Sequence, residues 1–199
     1  MEPNLTFIDQ VSELSRQNVR RCYYCLRCTA GCPSAYAMGG GPAQMLKMVQ
    51  LGQKDALLRS AGIWLCIGCE TCGTRCPNQI HAGAVIDALR QIAMAEKVAP
   101  GERKVAGLHQ AFMDNIRVLG RLHELTMLVE YKLLSLDLPS DLDMGLDMFR
   151  KGKIEVLPKR IKGMGQVGKL YGLMGEKASR VSTYLRLWKP GGRRRRGLR

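Results

Sequence analysis

The sequence lacks the features that several large classes of protein require. Its eight cysteines all lie between residues 22 and 76, only 6% of its 199 residues are aromatic, and it has three histidines. No apolar run approaches the roughly 20 residues that span a bilayer, and the first residues lack the basic and apolar regions of a secretory signal. We therefore expect no transmembrane segment and no secreted disulfide framework. We expect a cytoplasmic protein, since free thiols persist in reducing compartments.

Negative charge is also scarce. The chain has 31 Lys and Arg against 17 Asp and Glu, a net charge of +14, and the last stretch, 189–199, holds six positive residues. Such a tail can bind nucleic acid or an anionic membrane, or it can be a disordered segment that docks on an acidic partner. We favour the last interpretation and predict no nucleic-acid partner, because no aromatic-rich or helix-turn-helix pattern accompanies the charge.

Alternating strand patterns are missing, and helical periodicity takes their place. The 33 residues between Cys32 and Cys66 contain no alternating β-branched run and have the composition of two helices. Elsewhere apolar residues recur at helical spacing. The predicted helices cover residues 6–18, 43–51, 54–60, 82–98, 102–119, 122–135 and 140–151. The sequence therefore predicts an all-α fold.

No constellation typical of acid–base or nucleophilic catalysis is evident. The histidines, His81, His109 and His123, are far apart in the sequence and have no acidic or serine partner at a recognisable spacing; we expect surface or capping roles for them. A G-x-G-x-x-G pattern occurs at 163–168, but neither a buried strand before it nor an acidic residue about 20 positions after it supports dinucleotide binding. We predict no catalytic residue.

The cysteines form two copies of one motif. Residues 22–33 and 66–77 both follow C-x₂-C-x₂-C-x₃-C-P, the spacing with which bacterial-type ferredoxins hold [4Fe–4S] clusters. Structural zinc sites use separated cysteine or histidine pairs and do not fit this spacing. In two-cluster ferredoxins the fourth cysteine ligates the other cluster. The predicted ligands are Cys22, Cys25, Cys28 and Cys76 for the first cluster, and Cys66, Cys69, Cys72 and Cys32 for the second.

Residues beside the cysteines have predicted supporting roles. Three arginines would favour a reduced cluster, although solvated surface arginines fit equally well: Arg21, Arg27 and Arg75. Apolar neighbours are expected to keep water away from the clusters: Tyr23, Tyr24, Trp64 and Ile67.

Two such motifs separated by a helical spacer resemble the α-helical ferredoxin family, and the following segment 112–124, FMDNIRVLGRLHE, resembles the iron–sulfur C subunit of heterodisulfide reductase. The resemblance covers about residues 5 to 175. It implies a non-catalytic protein that relays electrons between two partners of one complex, with no turnover alone. One partner carries flavin and further clusters, and the other is the catalytic, disulfide-reducing component. Related complexes occur in sulfur oxidisers, and an iron–sulfur relay component of a quinone-linked membrane dehydrogenase is the other alternative.

The expected organisation has three parts. Residues 1–99 are predicted to form a helical ferredoxin domain with two [4Fe–4S] clusters, 100–188 a helical extension that packs on the domain and on partner subunits, and 189–199 a disordered basic tail. The extension carries an apolar stripe, interpreted as a core or partner-packing face. The stripe consists of Val105, Leu108, Phe112, Ile116 and Leu119.

Overall fold

The computed structural model describes residues 6–135, 142–152 and 157–173, with the backbone alone at 142–144 and 171–173. These residues form helices and no strand, which confirms the predicted all-α fold. The chain divides into two compact units, Met1–Val105 and Ala106–Arg199. The predicted boundaries of the extension and tail stay predictions, since residues 174–199 lie outside the described residues.

Unit 1 is built from short helices. They are α1 (Phe7–Ser15), a 3₁₀ turn (Val19–Arg21), α2 (Arg27–Ala30), α3 (Gly41–Gln50), α4 (Lys54–Leu58), α5 (Gly62–Leu65), α6 (Thr71–Thr74) and α7 (Ala82–Ala95). Helix α8 (Arg103–Leu119) begins in this unit and continues into the next.

Helix α7 is the centre of unit 1, because α1, α3, α4, α5 and α6 all pack against it. Its apolar residues repeat at helical spacing, and Val85 and Leu89 are fully buried. Phe7 of α1 and Leu57 of α4 are also fully buried. This core supports the two cysteine loops that lead into α2 and α6.

Helix α1 is shorter than predicted. It ends at Ser15 instead of near residue 18, because Arg16 adopts a left-handed conformation (φ 54°) and its N–H bonds back to the carbonyls of Ser12 and Glu13. Thr6 stands at the N-cap position but makes no side-chain capping bond. The early end leaves room for the 3₁₀ turn before Cys22.

Unit 2 contains the rest of α8, then α9 (Glu124–Ser135), α10 (Leu142–Arg150) and α11 (Met164–Leu173). Gly120 (φ 75°) separates α8 from α9, and Ile161 donates its N–H to Leu119 O at 3.1 Å. The G-x-G-x-x-G segment lies at the start of α11. None of the helices among the described residues is both long and apolar enough to cross a bilayer.

The predicted apolar stripe of α8 coincides only in part with its buried face. Leu119 is 6% exposed, whereas Leu108 is 38% exposed and Phe112 is 42% exposed. Val105 and Ile116 are partly buried. The other buried positions of α8 carry small and polar residues: Ala106, Gly107, Gln110, Ala111 and Asn115. A role of the stripe in packing against a partner stays a prediction.

Candidate iron–sulfur site

The two cysteine loops have the same backbone conformation. Cys22 and Cys66 are both extended, with φ and ψ of −72° and 118° at the first and −69° and 122° at the second. Each follows a short helical turn, and each loop ends in a four-residue helix, α2 or α6, that carries the third cysteine. The repeated spacing thus produces a repeated fold.

Two left-handed positions make this loop possible. Tyr24 (φ 62°) corresponds to Gly68 (φ 67°), and Leu26 (φ 63°) corresponds to Glu70 (φ 56°). A left-handed backbone turns the chain sharply between successive cysteines. Of these four residues only Gly68 is a glycine, the residue type that adopts a left-handed conformation without strain. The other three positions therefore hold a less favoured conformation that the surrounding loop imposes.

The cysteines repeat their burial as well. The first and fourth of each motif are half-buried, the second is exposed and the third is buried. Burial raises the pKa of the third thiols, Cys28 and Cys72. In both cases other cysteines raise the pKa further: Cys22 acts on Cys28, and Cys66 acts on Cys72. Thiols whose charges act on one another in this way are near neighbours.

One pocket brings together cysteines of both motifs. Cys66, Cys69 and Cys72 line it together with Cys32, the fourth cysteine of the first motif. Ile86 of α7 is another lining residue. These four cysteines are the set predicted for the second cluster. Four thiols around an apolar pocket match the donor set of a [4Fe–4S] cluster.

Two cysteines of the set predicted for the first cluster act on Tyr23. The pKa of its phenol is raised, first by desolvation and then by Cys25, which also accepts its hydrogen bond; Cys76 of the second motif raises it as well. One cysteine of each motif is therefore within electrostatic reach of Tyr23.

Direct contacts link the two loops. The side-chain amide of Asn78, after the second motif, donates to the carbonyl of Arg21, before the first. Arg75 packs against Gly31 so closely that a Cβ there would overlap its side chain. Among the described residues no three His, Cys, Asp or Glu side chains are grouped to hold a single metal ion.

The apolar neighbours differ from the sequence-based expectation. Trp64 is 3% exposed, and its indole N–H is buried with no hydrogen-bond acceptor among the described residues. Tyr23 and Ile67 are 62% and 67% exposed, and Tyr24 is fixed by a 2.9 Å bond from its hydroxyl to Gln44 Oε1. Trp64 is the member of this group that lies in the core.

Two polar residues that the sequence analysis missed brace the loops. Gln50, at the end of α3, donates from Nε2 to Cys22 O at 2.8 Å. Arg90 of α7 donates from Nη2 to Cys66 O at 2.5 Å. Gln50 stands 28 positions after Cys22 and Arg90 stands 24 positions after Cys66. Because these separations differ, the repeated motif contained no signal for either residue.

Two of the histidines have partners that the sequence analysis did not identify, and for His81 the expectation of no acidic partner was wrong. His81 Nδ1 lies 3.6 Å from Glu70 Oε2, beside the second cysteine loop. His123 is buried in unit 2, where its Nδ1 lies 2.7 Å from Thr126 Oγ1 and accepts the Thr126 N–H at 3.3 Å. The expected capping role fits His123.

These loops and helices define the class of the protein. Residues 21–81 match the family described as a 4Fe-4S dicluster domain, about a third of the chain. The match covers both cysteine motifs and supports a domain with two [4Fe–4S] clusters. The match ends at His81, close to the start of α7.

The chain is similar to proteins that are named as iron–sulfur C subunits of heterodisulfide reductase. The chain is 33% identical over 114 residues to the second iron–sulfur C subunit of the CoB--CoM heterodisulfide reductase of Methanocaldococcus jannaschii, covering 53% of this chain and 61% of that protein. It is 30% identical to the corresponding iron–sulfur protein of Methanopyrus kandleri, covering 52% of this chain and 58% of the relative. The chain thus spans less than two thirds of the relatives it matches.

A third relative, from Archaeoglobus profundus, is named as a protein like the C subunit of heterodisulfide reductase. It is 29% identical over 103 residues, which cover 51% of this chain and 54% of that protein. The resemblance to the iron–sulfur C subunit is therefore confirmed. The relatives from M. jannaschii and M. kandleri are themselves named as iron–sulfur subunits of a reductase.

Proposed function

We propose that the chain is a non-catalytic electron-transfer component of a heterodisulfide-reductase-type complex. Eight cysteines hold two [4Fe–4S] clusters, and electrons pass between a flavin- and cluster-bearing partner and a disulfide-reducing partner. The observation that carries this proposal is the pocket in which Cys32 of the first motif joins Cys66, Cys69 and Cys72 of the second. The complex would work in a reducing compartment, where the thiols stay available.

The chemistry supplied by each bound cluster is the transfer of one electron at a time. The chain's own residues hold the cysteine thiolates, shape the loops and limit access of water. The third cysteine of each loop, Cys28 or Cys72, is buried, whereas the second, Cys25 or Cys69, is exposed. Each site therefore has one edge at the surface of unit 1, where a partner's redox centre could approach.

Crossed ligation gives this proposal a sharp test. The double variant Cys32→Ser, Cys66→Ser removes two ligands from one site if ligation is crossed, so about four irons and one cluster should remain. The matched variant Cys76→Ser, Cys66→Ser then damages both sites and should lose most of the iron. Uncrossed ligation reverses the two results. Iron and acid-labile sulfide analysis of anaerobically purified protein, with EPR of the reduced samples, measures both.

The relay role needs a separate experiment. The reduced protein should give up its electrons to a co-purified disulfide-reducing partner, and the oxidised protein should be reduced by a co-purified flavin-bearing partner. Stopped-flow measurement of the visible absorbance of the protein can follow both reactions. Wild-type protein that holds about eight irons but exchanges no electrons with either partner would contradict the relay role. Protein with zinc in place of iron would contradict the cluster assignment itself.

A further inference from the structure

The two loops are braced at equivalent atoms by two different side chains. Gln50 Nε2 donates to Val19 O at 3.0 Å and to Cys22 O at 2.8 Å. Arg90 donates from Nε to Ile63 O at 2.6 Å and from Nη2 to Cys66 O at 2.5 Å. Val19 and Ile63 each stand three residues before the first cysteine of their motif. The hydrogen-bonding pattern is therefore repeated.

The charge, however, is not repeated. A guanidinium stays protonated at all ordinary pH values, whereas an amide is neutral. The Arg90 side chain is only 16% exposed. A charge held in this position is screened by water much less than one at the surface. The second loop therefore has a fixed positive charge against its backbone where the first has none.

Other charges near the second loop offset Arg90 only in part. Asp87 Oδ1 lies 3.2 Å from Arg90 Nη1, but the Asp87 side chain is 68% exposed. Glu70 lines the pocket that contains Cys66 and Cys69. Its side chain is 52% exposed and lies beside His81. Both carboxylates are more exposed to water than the Arg90 side chain, which is 16% exposed, so water and counterions screen their fields more strongly than that of the guanidinium.

The arginines around the first loop are placed differently. Arg21, Arg27 and Arg75 are all exposed. Water and counterions weaken the field of exposed charges, so these residues are a poor substitute for a buried one. The reduced form of an iron–sulfur site is one unit more negative than the oxidised form, and nearby charge is among the factors that set its reduction potential.

We propose that Arg90 raises the reduction potential of the second site above that of the first, so that the transferred electron resides preferentially at the Cys32, Cys66, Cys69 and Cys72 end of the relay. This inference rests on the proposed function. It makes Arg90 a tuning residue that acts through the Cys66 loop, and it makes the two sites of the repeat electrically unequal.

The test is an anaerobic EPR redox titration of cluster-loaded protein and its variants. In wild-type protein the two clusters should titrate at separate potentials. Arg90→Gln places at the second loop the same neutral amide that braces the first. It should lower the reduction potential of the second cluster by about 59 mV, which is a tenfold change in the equilibrium constant for a one-electron reduction. Arg90→Lys keeps the charge and should retain most of the wild-type potential. Gln50→Arg should raise the reduction potential of the first cluster, which is expected to be the lower of the two.

The outcomes separate this inference from the proposed function. An Arg90→Gln protein with full iron content and unmoved potentials overturns the inference, and so does an equal shift of both clusters. Should Arg90→Gln lose iron, Gln50→Arg decides: a rise in one potential supports charge tuning, and no change refutes it. Wild-type protein without two reducible clusters would instead contradict the proposed function.

Discussion

Replacing Gly62 with alanine should destabilise unit 1 and loosen the first cysteine loop. Gly62 is buried at the start of α5, which leads into Cys66. A Cβ at this position would overlap Met45 Cε and lie 2.7 Å from the backbone oxygen of Met38. Met45 and Met38 are 3% and 5% exposed, so neither has free space into which to move. The backbone oxygen in particular cannot be turned aside by a change of rotamer.

The magnitude follows from the cost of overpacking. Adding a methyl group to a tightly packed core costs about 1–3 kcal/mol, less a small gain because alanine favours helix more than glycine does. Each kcal/mol shifts the melting temperature of a domain of this size by about 4–8 °C. Met38 Sδ also lies 3.7 Å from Cys32 Sγ. We therefore expect a melting temperature lower by about 5–15 °C and faster loss of iron.

Gly83→Ala is the matched control for thermal stability alone, because Gly83 itself lines the cysteine pocket. A Cβ at Gly83 would overlap Glu70 Oε1 and stand 2.9 Å from its Cδ. Glu70 is 52% exposed, so its carboxylate can swing into solvent. Moving it weakens a surface contact with His81, which is worth at most about 1 kcal/mol. Although the steric overlap is as severe as at Gly62, Gly83→Ala should change stability by less than about 0.5 kcal/mol.

Thermal unfolding of cluster-loaded protein, followed anaerobically by far-UV circular dichroism, gives the melting temperature of each variant. The rate of iron release to a chelator reports how firmly the first cysteine loop is held. The reasoning fails if Gly83→Ala is the more destabilising change. It also fails if the Gly62→Ala variant has the melting temperature of the wild type, because the core around Met38 would then be able to rearrange and accommodate the added methyl group.

Three further predictions concern stability. Phe7→Ala should cost about 3–5 kcal/mol in chemical denaturation, because Phe7 is fully buried, whereas Leu14→Ala, at a 46% exposed position of the same helix, should change little. Thr29→Val should cost about 1 kcal/mol in the same assay, because its hydroxyl accepts a backbone N–H in the first turn of α3 at 3.1 Å; equal stability would rule out this cap. Desolvation, followed by the charge of Asp114, raises the pKa of Glu130 from 4.5 to about 7. The stability that the protonated Glu130 contributes is therefore present at low pH and is lost as the pH rises from 4.5 through about 7. Glu130→Gln should abolish that loss in melting curves recorded between about pH 5 and about pH 8.

The cysteine loops are the part of the structure that sequence reasoning predicts best. Ligand spacing is local, and local spacing determines the turn that carries Cys22, Cys25 and Cys28. The spacer between the motifs was predicted as helical for the same reason, since its composition excludes strands. The very short helices were not predicted. Helices of four residues such as α2 and α6 have no periodic pattern to reveal them.

Long-range contacts could not be predicted from spacing. Glu70 and His81 are eleven positions apart, and Asp114 raises the pKa of Glu130 from a neighbouring helix. Helix α8 shows the same limit within one element. Of its predicted apolar stripe only Leu119 is buried, and the other buried positions carry small or polar residues. Which face is buried depends on the neighbour, and the neighbour is not visible in the helix alone.

The repeat also shows where two sites with identical ligands can become different. Four thiols offer the same chemistry at each site, so any difference in behaviour must come from the residues around them. Leu26 and Glu70 differ in charge at matched loop positions, but Glu70 is half in solvent. Gln50 and Arg90 differ in charge while making the same backbone contacts, and Arg90 is largely enclosed. A buried difference in charge outweighs an exposed one, so the residues that brace the loops, and not the cysteines, would make the reduction potentials of the two sites differ.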